Sequence, residues 1–214
     1  MNRFCLRLPG AFVLSFLLLL PLAAHAQSLP KPKEFYFDED ATTVRTLMPD
    51  EGSGDAVQSR LLKTAERNGR DADMATAQLA HIGYATGRDV VGAALYGQVL
   101  TRLSGRQRHQ VLWNRGWDLH RSGDTEAALA DWREAGVDRH GGPSWVPPTL
   151  ALALWTLDRR DEAIAWYAAA VRTEPSLWAD PANLPALLPD WREQERATLA
   201  EVAAAWRAAP PAWP

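Results

Sequence analysis

Small and apolar side chains recur along residues 72–175 of this 214-residue chain with two superposed periods. The shorter, three to four residues, marks amphipathic helices. It predicts helices at 72–85, 89–103, 107–121, 124–135, 147–157 and 160–173, joined by short polar turns. The longer period is 35 or 36 residues. Gly116, Leu119, Ala128, Trp132 and Ala135 fall against Ala151, Leu154, Ala163, Tyr167 and Ala170 at a constant offset of 35. They fall against Ala80, Gly83, Gly92, Tyr96 and Val99 at an offset of 36. One helix-turn-helix unit is therefore written three times.

Turn signals agree with that division. Thr86-Gly87 and Ser122-Gly123 close the first helices of two units, each followed by an acid, Asp89 or Asp124, expected to cap the second helix. In the third unit Asp158-Arg159 stands where glycine is expected, and Asp161 is the expected cap. Turns this short set the two helices of a unit antiparallel. Ala80, Gly116 and Ala151, with Gly92, Ala128 and Ala163, let the backbones approach, and Tyr96, Trp132 and Tyr167 fill the space against the next unit. Upstream, a helix within 55–70 is expected, capped by Asp55 and closed by Asn68-Gly69. Downstream, residues 176–214 begin with a proline-punctuated connection containing a short turn at 184–188. A last helix capped by Asp190 then carries the stripe Trp191, Thr198, Leu199, Val202 and Trp206.

These segments resemble tetratricopeptide repeats. The third unit carries most of the pattern, with Leu150, Ala151, Leu154, Ala163, Tyr167, Ala170 and Pro175 at matching positions. The second has Arg115 at an apolar position and His140 in place of proline; the first has Gly83 for a large apolar residue and Ser104 for the proline. The resemblance covers roughly residues 72–175 and implies an all-α fold. Its form is a right-handed α-solenoid of helix-turn-helix repeats with N- and C-terminal capping helices. It also implies that positions three before, one after and four after the small anchor of each first helix line a concave groove for a partner segment. That places Tyr84, His81, Trp113, Trp117, His120 and Trp155 in the groove, with Arg121 beside His120 as a further polar group of it.

The N-terminus changes the picture of where such a chain works. Arg3 and Arg7, the apolar run Ala11 to Leu20 and Ala24-His25-Ala26 have the three parts of a secretory signal peptide over residues 1–26. Cleavage there leaves a chain without cysteine, since Cys5 departs with the signal. It also leaves 21 basic against 26 acidic residues, an acidic balance that speaks against nucleic acid as a partner. Residues 27–54 hold an aromatic triplet and no helical period. They are expected to be irregular, with Phe35, Phe37, Leu47 and Met48 able to dock on the helical body.

Candidate chemistry is sparse. No nucleophile-elbow motif occurs, and His81, His109, His120 and His140 form no H-x-x-x-H pair. Neither catalytic residues, a metal site nor a cofactor is expected. The stronger signal is aromatic, because all ten tryptophans lie between Trp113 and Trp213. Three fates are open to the groove indoles: an open partner groove, a groove occupied by the chain's own ends, or packing between helices. The expected function is an exported scaffold of the bacterial cell envelope that binds a protein segment. A carbohydrate or peptidoglycan binder using the same tryptophans is the alternative, and an envelope enzyme is a more distant one.

Overall fold

The computed structural model describes residues 29, 31–32, 42–136 and 143–212. The expected signal peptide, the aromatic triplet at 35–37 and most of the 136–144 spacer lie outside them. The fold is all-α, and no strand occurs among the described residues. The helices are α1 (Asp55–Ala65), α2 (Arg70–Ala85), α3 (Asp89–Leu100), α4 (Gly105–Arg121), α5 (Thr125–Gly136), α6 (Val146–Thr156), α7 (Arg160–Thr173), α8 (Pro175–Trp178), α9 (Leu184–Leu187) and α10 (Glu193–Ala208).

Three turns repeat one hydrogen-bond pattern at the sequence period. Arg88 N–H donates to Gly83 C=O at 2.7 Å, Asp124 N–H to Leu119 C=O at 2.9 Å, and Arg159 N–H to Leu154 C=O at 2.8 Å. One residue earlier, Gly87, Gly123 and Asp158 donate to Tyr84, His120 and Trp155, each at 3.1 Å. This closure requires a left-handed residue. The three have φ of +71°, +98° and +59°, so Asp158 adopts the glycine conformation at the cost of strain.

Capping departs from expectation at four of five acids. Asp124 does cap α5, its Oδ1 accepting from Ala127 N–H at 3.1 Å. Asp55, Asp89 and Asp161 instead lie inside the first turns of α1, α3 and α7, after Gly54, Arg88 and Arg159 at the cap positions. There they face the positive helix end and need no cap geometry. Asp190 is displaced the other way, two residues ahead of the cap: α10 starts after Arg192, whose N–H donates to the Glu195 carboxylate at 2.7 Å. Pro175 does not end the third unit outright but opens the one-turn helix α8, because its missing N–H costs nothing in a first turn.

Packing follows the small-residue pattern. Helices pair as α2 with α3, α4 with α5 and α6 with α7, and α10 lies against α6 and α7. A Cβ on Gly92 would sit 2.7 Å from Ala80 C=O, and one on Gly116 2.7 Å from Trp132 Cδ1, so neither position has room for alanine. Tyr96, Trp132 and Tyr167 are fully buried. In α10, Leu199, Val202 and Ala203 are buried and cover the apolar sides of α6 and α7.

Candidate functional site

Asparagine and aspartate four residues apart are unusual on a helix face otherwise lined by Val111, Leu112 and Gly116, and both find partners. The Asn114 carboxamide holds a piece of the chain's own N-terminal side that runs from a turn at 42–44 into a bend at Leu47 and Met48. Its Oδ1 accepts from Leu47 N–H at 3.0 Å, and its Nδ2 donates to Arg45 C=O at 2.9 Å. Leu47 is 1% exposed and packs with Ala77, Ala80, Val111 and Leu112. Met48 turns the other way, against the α1 and α2 cluster. We call residues 44–47 the strap.

Asp118, one turn after Asn114, is buried and accepts from both Tyr96 Oη at 2.7 Å and His81 Nδ1 at 2.9 Å. Burial and the Asp118 charge push the Tyr96 phenol well above its ordinary range, so its hydroxyl stays a donor. With Nδ1 committed to Asp118, Nε2 is the His81 nitrogen left for other partners. At the end of α4, Arg121 makes a two-pronged pair with Glu195, at 2.8 and 3.0 Å, and its guanidinium lies 4.9 Å from the Trp117 ring centre. Burial pushes the Glu195 carboxyl up, but Arg121 and the Arg192 N–H outweigh it and leave the group below its ordinary value.

A cavity of about 630 Å³ opens between these anchors. Val44, Arg45 and Thr46 of the strap form one wall and residues 187–191 the other; the floor carries Trp113, Trp117, Trp145 and Thr149. The indoles are fixed by edge contacts: Trp113 lies 5.6 Å from Trp117 and 4.4 Å from Trp145, and Trp117 lies 5.0 Å from Trp191. Trp113 and Trp117 are only 8% and 7% exposed, so each offers the cavity an edge while most of the ring is core.

Of the seven residues expected in the groove, His81, Trp113, Trp117 and Arg121 meet in this cavity. The other three do not line it. Tyr84 packs toward Tyr96, at 6.0 Å between ring centres. His120 Nδ1 lies 3.0 Å from Thr125 Oγ1, and burial pushes the ring below its ordinary pKa. Trp155 donates to Glu201 at 3.0 Å and carries the Arg160 guanidinium 3.9 Å over its ring. Sequence reasoning missed Asn114, Asp118, Trp145 and the 187–191 wall, whereas docking of Leu47 and Met48 on the helical body was expected and is what brings the strap here. Asn114 and Asp118 were legible as a polar pair on an apolar face, whereas the walls come from segments without helical period.

Among the described residues, no group of three or more His, Cys, Asp or Glu side chains could hold a metal ion. No described helix is long and apolar enough to cross a membrane. No family model, no curated protein and no solved structure matches the chain.

Proposed function

We propose that the protein is a tetratricopeptide-like solenoid, exported to the bacterial cell envelope, that works by holding a segment of a partner protein. Three turns with the same hydrogen bonds and left-handed residue, spaced by 36 and 35 residues, support the repeat reading. In a right-handed stack of such units, α1 and α10 are the capping helices. No covalent step is part of the function. The carrying observation is the Asn114 clasp. A carboxamide that takes one N–H and gives to one C=O two residues away grips backbone regardless of side chain, while Leu47 supplies an apolar anchor. The site thus already accommodates the kind of ligand it is proposed to capture. The carbohydrate alternative fits less well, because Trp117 packs against Trp113, Trp132 and Trp191 and keeps little free ring face for a sugar.

The test is in-cell photocrosslinking from a benzophenone side chain at exposed Pro189 on the cavity rim, with exposed Gln98 on α3 as control. A discrete partner band from Pro189, lost when Asn114 is changed to Leu, is expected. Equal products from both positions sink the proposal.

A further inference from the structure

The cavity also has a ligand class of its own, which goes beyond partner capture. Its two walls flank the indole floor. The strap is fixed at Asn114, while the other wall is fixed at Trp117 by Trp191 and at Arg121 by Glu195. Asn114 and Arg121 are seven residues apart on one helix, or about 10 Å along the axis. A walled space of about 630 Å³ is the size of small-molecule sites.

The available polar groups decide the chemistry. Asn114 has Oδ1 and Nδ2 engaged by the strap, Thr149 Oγ1 donates to Trp145 C=O at 2.7 Å, and Arg121 is held by Glu195. What remains as a donor is the Arg45 guanidinium, which has no partner among the described residues, whereas His81 Nε2, with the ring proton given to Asp118 through Nδ1, offers only a lone pair. Asp190 on the far wall is the opposing charge and orients an anion toward the Arg45 end. The body of the ligand meets the edges of Trp113, Trp117 and Trp145 with Pro148 and Leu188. We infer that the walled cavity binds a compact organic anion, an aromatic body bearing one carboxylate, with the carboxylate at Arg45 and the ring among the indoles. The apolar part of the site is preorganised, since the indoles are already held by their neighbours.

The experiment titrates the purified chain with 3-(2-naphthyl)propionate, its methyl ester and propionate, following heat and tryptophan fluorescence. The acid is expected to bind one to one, the ester at least ten-fold more weakly, and propionate not at all. Arg45→Met removes the anion contact and should bring the acid toward the ester's affinity while the ester and the melting curve stay unchanged. Equal affinity for acid and ester overturns the inference, as does no binding of either. A tetrapeptide with a free C-terminal tryptophan that binds ten-fold more tightly than the naphthyl acid, and whose C-terminal amide does not, overturns the small-molecule assignment in favour of a chain end. Absence of binding leaves the crosslinking result untouched, so the two readings fail separately.

Discussion

Two hydrogen bonds end on one carboxylate at Asp118, and they come from different helices, Tyr96 on α3 and His81 on α2. A buried acceptor shared in this way ties three helices at one point, and its removal strands its donors. Tyr96→Phe removes one bond and leaves Asp118 its imidazole, so urea denaturation should show a loss of about 1 kcal/mol. Asp118→Leu leaves the fully buried hydroxyl unpartnered and should cost about 1–3 kcal/mol. His120 and Glu195 set the acid limb of stability. Burial lowers His120 from its ordinary 6.5, so the folded state resists its protonation and stability falls as pH drops below about 6.5. Glu195 is held below its ordinary 4.5, so its contribution is present above that value and lost as pH falls through the folded one. Asp131 acts in the opposite sense, because burial lifts its carboxyl in spite of Arg115. Thermal melts from pH 7 to 2 should therefore decline in two stages. His120→Gln flattens the upper stage and Glu195→Gln the lower; an unaltered profile in both variants rules out this assignment.

The helical elements were readable because periodicity reports burial, and burial is what stabilises them. Even Asp158, the residue that breaks the glycine rule, occupies the turn that the repeat spacing marks. Caps were less readable, since an acid in the first turn and an acid at the cap satisfy the same helix end and leave the same sequence trace. The strap and the 187–191 wall were not readable as cavity walls, because their placement depends on Asn114, Trp117 and Arg121 rather than on a pattern of their own. The shared turn geometry makes an opposed pair of substitutions informative. Asp158→Gly relieves a left-handed aspartate and is expected to raise the melting temperature by about 2–4 °C, the size expected of about 1 kcal/mol in a chain this long. Gly123→Ala, at φ +98°, should lower it by at least as much. Equal signs for the two would show that the turns are not equivalent.

At the scale of the molecule, the terminal helix holds the third unit together from outside. Deleting α10 uncovers the sides of α6 and α7 that Leu199, Val202 and Ala203 cover, and removes Glu195 from Arg121. Hydrogen exchange of the shortened chain should rise most in α6 and α7 and least in α2 and α3, since a paired array passes loss mainly to its neighbours. Uniform loss of protection would instead show a single cooperative core. The strap has a consequence in time. A partner that needs the Asn114 carboxamide can reach it only after Leu47 and Arg45 have let go. Capture of the proposed partner would then be a displacement: at rising partner concentration the observed association rate should level off at the frequency with which the strap departs. Weakening the Leu47 anchor raises that ceiling without touching the partner's own contacts.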